Sequence, residues 1–282
     1  MKAYVSIDIE GLPGVSSATM LVPGNTQYSR GSKIMTLIAK KTAETLLNNG
    51  FDKVVIADSH GYMTNIDYLE MPKNTVLIQG FPRPVSMLTG LDESYDAILF
   101  IGYHTGAGTL HGYLDHTMSG RTFAEIKING FRASEYLINA LVAGEKNVPL
   151  ILVAGDQLLE EEVKKHTPWT VFVPFKRGIT RYSAMYDSFE DILEKLVNGI
   201  SKAVEKLKKG EAMPLRIHKP YTVEIRLREE LIGDVLETWN KLSRKDAYTF
   251  TLEASTAEEL LETIELIAFI AYGVYSLKNA LK

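Results

Sequence analysis

Asp8 and Glu10, in the stretch SIDIEG, stand two residues apart behind an alternating apolar series of Ala3, Val5, Ile7 and Ile9. In a strand this spacing aims both carboxylates at one face, together with Ser6. Three later apolar runs also end in residues able to do chemistry. KVVIA (53–57) leads to Asp58 and His60, AILFIGY (97–103) to His104, and PLILVAGD (149–156) ends in Asp156. A helical pattern, SEYLINALVAGEKN, opens with Ser134 as its expected cap and Glu135 in its first turn. Brought to one sheet edge, Asp8, Glu10, His60, His104 and Glu135 would suit two divalent cations, with the short Asp8 as the bridge. Mixed imidazole and carboxylate donors favour zinc, with manganese or cobalt as substitutes.

Each residue also has an ordinary reading. A single His at a strand end is commonly a hydrogen-bonded structural residue. Asp58 and Asp156 could be helix caps, or could orient ligand imidazoles from behind. Glu135 could serve only the helix dipole. No pair has the HExxH spacing, so the weight lies in the combination.

The segment LHGYLDHTMSG adds His111 and His116, either of which could close over such an edge and shuttle a proton. Lys176 and Arg181, after the apolar run TVFVPF, could anchor a carboxylate or simply form surface ion pairs. His166 and His218 lie in polar surroundings and read as bystanders. The glycines of GYHTGAGTLHG do not complete G-x-G-x-x-G, because His111 holds the last required position. They read as room for close backbone approach, not as a nucleotide cradle.

The elements that must position these groups read as an α/β protein. Two-sided apolar runs alternating with helical patterns predict a mostly parallel central sheet flanked by helices. Asn49-Gly50 stops the first helix, and TFAEIKI followed by Asn129-Gly130 predicts a hairpin arm. After Lys209 the connector KKGEAMPLRIHKP leads to YTVEIRL, EELIGDVLETWNKL, YTFTLEA and a last helix from about Thr256. This predicts a catalytic α/β domain over residues 1–209 and a smaller α+β lobe over 210–282, packed on it and available for subunit contacts. The apolar run IELIAFIAYGVYSL, about 14 residues, is shorter than the ~20 a membrane span needs.

With a net charge of −4, nothing recruits nucleic acid by bulk electrostatics. The absence of cysteine excludes disulfides, thiolate metal sites and a Cys nucleophile. A first strand beginning almost at residue 1 leaves no room for a signal peptide, so the expectation is a cytoplasmic protein that engages no membrane.

In order along the chain, SIDIEG, YSRG (28–31), DSHG (58–61), GLD (90–92), GYH (102–104), DHTM (115–118), ING with SEY (128–136), VAGD (153–156) and KRGITR (176–181) resemble the binuclear zinc D-aminopeptidases. The founding member of that family is associated with a bacterial dipeptide-transport operon. The resemblance implies metal ligands at Asp8, Glu10, His60, His104 and Glu135, and a catalytic histidine at His116, which separates it from His111. It further implies two zinc ions per subunit, hydrolysis of the N-terminal amide bond of short D-residue peptides by a metal-activated water, and a ring-shaped homo-oligomer, pentamer or decamer. The residues alone leave two alternatives: another metal-dependent amide or phosphoester hydrolase, and a non-catalytic peptide-binding protein.

Overall fold

Parallel strands buried on both faces form the centre of the molecule, as their unbroken apolar runs require. The computed structural model describes residues 1–280. In chain order it contains β1 (Lys2–Ile7), α1 (Tyr28–Asn48), β2 (Lys53–Asp58), β3 (Thr75–Ile78), β4 (Ala97–Tyr103), β5 (Phe123–Ile128), β6 (Phe131–Arg132), α2 (Glu135–Glu145) and β7 (Leu150–Asp156). The second half adds α3 (Glu160–His166), β8 (Val171–Thr180), β9 (Ser183–Met185), α4 (Phe189–Lys208), β10 (Tyr221–Leu227), α5 (Glu230–Leu236), β11 (Ser243–Arg244), β12 (Thr249–Ala254) and α6 (Ala257–Ala280).

The main sheet runs β3-β2-β1-β4-β7-β8-β9, parallel from β3 to β8, with β9 antiparallel at the edge. Strand order proceeds outward from β1 in one direction through β2 and β3, then in the other through β4 and β7. The reversal falls between β1 and β4, where the connections diverge and leave a crevice beyond the carboxyl ends of the strands. On one face Val5, Ile7, Leu99 and Ile101 pack with α1 and α4 residues such as Ile38, Leu46, Leu196 and Ile200. On the other, Tyr4, Phe100 and Tyr103 pack with Leu137 and Leu141 of α2.

A second, antiparallel sheet, β11-β12-β10-β5-β6, packs on α6 through β12, and α6 in turn packs on α2. The hairpin β5–β6 belongs to it, paired through β5 to β10. The smaller lobe therefore takes two strands from inside residues 1–209 and is not confined to 210–282. Its turn has both central residues at positive φ (Asn129 50°, Gly130 82°), the type I′ geometry expected of Asn-Gly. β10 alternates buried and half-exposed or exposed residues, as one-sided antiparallel strands do.

Four local expectations differ from what is found. β1 ends at Ile7, so Asp8 and Glu10 lie in the turn beyond it. Ser134 precedes α2 but its hydroxyl makes no capping bond; the Ser134 N–H instead donates to Glu162 of α3 at 3.3 Å. The helix read over EELIGDVLETWNKL stops at Leu236. The last helix is 24 residues and, by length and composition, is apolar enough to cross a membrane. Its inner stripe, Leu260, Leu261, Ile264, Ile267 and Ala271, is core.

Candidate active site

The carboxyl ends of β1, β2 and β4 meet where strand order reverses, and backbone bonds fix the segment leaving each strand. Asp8 N donates to Ile101 O (2.8 Å) and Gly11 N to Gly102 O (2.7 Å), so the chain leaving β1 lies against the end of β4. Gly102 permits this: at φ +74°, a Cβ there would stand 2.0 Å from the Asp8 carbonyl oxygen. His60 follows β2, and Ser59 N donates to Ile7 O at 2.8 Å. His104 follows β4 directly, Glu135 starts α2, and His116 sits in the long connection between β4 and β5.

Each histidine spends one nitrogen on a backbone carbonyl. His60 Nε2 donates to Leu21 O (2.9 Å), His104 Nδ1 to Thr105 O (3.0 Å) and His116 Nδ1 to Leu114 O (2.8 Å). A carbonyl only accepts, so these nitrogens carry the proton and the opposite ones are turned to the carboxylates. His60 Nδ1 lies 3.4 Å from Asp8 Oδ1 and 2.9 Å from Glu10 Oε2. His104 Nε2 lies 3.5 Å from Asp8 Oδ2 and 3.8 Å from Glu135 Oε1, and His116 Nε2 is 3.7 Å from the same Glu135 oxygen. The rings of His104 and His116 stack at 4.3 Å. Asp8 thus shows one oxygen to His60 and the other to His104, the disposition a bridging carboxylate needs.

Burial and Glu10 hold the Asp8 carboxyl well above its ordinary range. Glu10 is also buried, but attraction to His60, His116 and His104 carries its carboxyl well below. His60 is opposed by burial, yet Glu10 and Asp8 raise it well above the usual imidazole value. Burial and the neighbouring His116 lower His104. The cluster is short of positive charge, which a divalent cation would supply.

The donor set fits such an ion. Among the described residues Asp8 Oδ2 and His104 Nε2 are buried without a hydrogen-bond partner, and Glu10 Oε2, although 2.9 Å from His60 Nδ1, is not aligned for a hydrogen bond. Two three-donor groups have ligand atoms within 4.8 Å of one another: Asp8, Glu10 and His104, and His104, His116 and Glu135. They overlap at His104. By spacing, His116 is as well placed to meet a cation as to serve beside one.

The other candidates separate clearly. Asp58 accepts from Asn65 and Ile66 and touches no imidazole, so it shapes the loop after His60. Asp156 accepts from Tyr113 N and Leu158 N and likewise orients no histidine. Lys176 is buried and donates to the carbonyls of Glu10 and Val15 (both 2.6 Å), so it pins the loop carrying Glu10 rather than facing the cleft. Burial pushes its ammonium down to about 7. Arg181 pairs with Asp115, one residue before His116. His111 is exposed and stands apart.

Two features escaped sequence reasoning. Ser6, Tyr103, Ser59 and Asn139 form a buried hydrogen-bond network directly behind the cluster. The lone Asn within the apolar face of α2 was its available signal. The cleft wall opposite the histidines comes from α6, through Glu265, Ala268, Phe269 and Tyr272, with Phe81 packed on Phe269 at 5.3 Å. No local pattern marks it, because it arises only when the smaller lobe docks.

A parallel α/β sheet with a buried histidine–carboxylate cluster at its switch point, open to a cleft, has the architecture of a metal-dependent hydrolase. Residues 1–266 match the sequence model of peptidase M55, D-aminopeptidase, and the chain belongs to that family of peptide-hydrolysing enzymes. A D-aminopeptidase of Bacillus subtilis (strain 168) is 35% identical over 181 residues, which span 64% of this chain and 65% of that protein. The structure of a Zn-dependent D-aminopeptidase from Bacillus subtilis, described as a self-compartmentalizing protease, superimposes with a TM-score of 0.91 at 27% identity. That match covers 96% of this chain and 98% of the other.

Proposed function

We propose that this chain is a cytoplasmic zinc-dependent aminopeptidase that removes the N-terminal residue of short peptides, D-residues preferred, of the kind a dipeptide transporter delivers. The observation that carries the reading is the pair of overlapping donor groups with buried, unpartnered Asp8 Oδ2 and His104 Nε2. Asp8, Glu10, His60, His104 and Glu135 would hold two zinc ions, with manganese or cobalt able to substitute. Bound there, zinc supplies Lewis acidity toward a carbonyl oxygen and lowers the pKa of water to about 7.

The remaining work falls to the protein. Asp8 reaches both sides of the cluster through its two oxygens. Glu135 is fixed by the Met118 N–H, which donates to its Oε1 at 2.7 Å. His116, half-buried at the cleft, keeps its Nδ1–H on Leu114 O and leaves Nε2 free to take a proton from the nucleophile and give one to the departing amine. We read its assembly as a ring-shaped homo-oligomer, pentamer or decamer; the self-compartmentalizing description of the structural relative supports an enclosing assembly of subunits.

The test is turnover of D- and L-aminoacyl amides by purified protein before chelation, after it and after zinc is restored. The reading expects D over L, loss with chelator and recovery with zinc. Full activity in metal-stripped protein contradicts it.

A further inference from the structure

The cleft is divided in two, with Glu10, His60 and His116 of the cluster on the partition. One compartment, of about 250 Å³, lies under α6 and is lined by Asp8, Glu135, Glu265, Met63, Phe81 and Phe269 among others, with no Lys or Arg among the described residues. The other, of about 440 Å³, opens past Tyr62 and Tyr182 and contains Arg121 and Arg181. Glu10, His60, His116 and Tyr272 face both.

The charges left over in the two compartments are opposite. Cations bound at the cluster would neutralise Asp8, Glu10 and Glu135, leaving Glu265 as the remaining carboxylate of the first compartment. Glu265 forms no ion pair among the described residues. Its neighbours leave its charge largely uncompensated: Ser86 offers it a neutral hydrogen bond, and the Arg83 guanidinium that attracts it is committed to the carbonyls of Ser86, Ile78 and Asp58. Burial raises the Glu265 carboxyl, a cost that an incoming ammonium group would relieve. In the second compartment Arg121 forms no ion pair among the described residues. Arg181 gives only Nη1 to Asp115, while Nη2 lies 3.9 Å from where a Cβ on Gly120 would stand. Two guanidinium groups in one compartment suit a carboxylate, which a guanidinium can grip through two parallel N–H bonds.

Building on the peptidase reading, we propose that the two compartments read the two ends of a short zwitterionic peptide, Glu265 taking the ammonium end and Arg121 with Arg181 the C-terminal carboxylate. The polarity lays the first peptide bond across the partition and disfavours long or C-terminally blocked chains. Glu265, Arg121 and Arg181 are specificity-determining residues in this scheme.

The test uses zinc-loaded protein and a ketomethylene dipeptide isostere, binding followed by calorimetry. Its C-terminus is a free acid or a carboxamide, and its N-terminus is free or acetylated. Wild type should bind the free acid roughly tenfold more tightly than the carboxamide. R121M, on an exposed side chain, and R181M should each shrink that ratio to below about threefold. E265Q should keep the ratio but bind the free-amine isostere roughly tenfold more weakly, with the acetylated form little affected. Equal binding of acid and carboxamide by wild type, or a ratio that survives both arginine variants, overturns the carboxylate assignment. Unchanged free-amine binding in E265Q overturns the ammonium assignment. Absence of any hydrolysis of free peptides by zinc-loaded wild type removes the peptidase reading and this proposal with it; hydrolysis without end preference removes this proposal alone.

Discussion

Gly102→Ala tests whether the site depends on backbone contact between β1 and β4. A Cβ at this position would meet the Asp8 carbonyl oxygen at 2.0 Å and Leu12 Cδ2 at 2.9 Å, whereas real Cβ contacts essentially never fall below 3.0 Å. The two strand ends must therefore part by about 1 Å, against the bonds from Asp8 N to Ile101 O and from Gly11 N to Gly102 O that hold them together. Residue 102 also has φ +74°, where a Cβ costs about 1–2 kcal/mol. Overpacking adds about 1–3 kcal/mol, giving a destabilisation of about 2–5 kcal/mol. At roughly 2–4 °C per kcal/mol, the thermal midpoint should fall on the order of 10 °C. Asp8 rides on the displaced segment, and a 1 Å misplacement of a reacting group costs about 100-fold in rate. The assays are thermal unfolding and kcat/KM for a D-aminoacyl amide, both with zinc in excess. A variant with wild-type midpoint and wild-type turnover would refute the reasoning.

Glu162→Gln should change the pH dependence of stability. Burial pushes the Glu162 carboxyl from an ordinary 4.5 up to about 7. The native state therefore favours the protonated acid, so this contribution is intact below about pH 4.5 and lost as pH rises through about 7. For a side chain still partly exposed, the variant should gain about 1–3 kcal/mol over wild type at pH 8 and nothing at pH 4.5, read from denaturant midpoints; a gain independent of pH contradicts this. Tyr103→Phe removes the hydroxyl that bonds Ser6 Oγ (2.8 Å) and Asn139 Nδ2 (2.9 Å), and should cost about 1–3 kcal/mol by urea unfolding while zinc content stays at the wild-type level. His116→Ala should lower kcat by about 10²–10⁴ with zinc retained, measured by steady-state kinetics beside metal analysis, and unchanged kcat would remove its catalytic role.

Much of this arrangement was legible in residue order, for a definite reason. Parallel strands are buried on both sides, so AILFIGY and LILVAGD announce themselves, and polar residues closing such runs fall at the sheet edge where sites form. Asp8, Glu10, His60 and His104 could be gathered on that rule and Glu135 from the first turn of a helix, and the structure brings all five together with His116. Strand alternation gave Asp8 and Glu10 the right destination by the wrong route. They converge from a turn, held by Gly102 and by the ammonium of Lys176 on the Glu10 carbonyl. What orients the imidazoles was not legible, because the partners are the carbonyls of Leu21, Thr105 and Leu114, which carry no side-chain signature. Nor was the α6 wall, since Glu265 and Phe269 reach the cleft through long-range packing of the smaller lobe. The pairing of β5 with β10, nearly a hundred residues later, is of the same kind.

Everything proposed for the active site depends on the buried cluster being a two-cation site with Asp8 at its centre. Zinc stoichiometry of the purified chain, measured after dialysis against excess zinc and removal of free metal, addresses it most directly, with Asp8→Asn beside wild type. The account predicts two zinc ions per chain in wild type and fewer than one in the variant, whose fold is retained by circular dichroism. A wild-type chain that holds no tightly bound zinc, or a variant that still holds two, would contradict it.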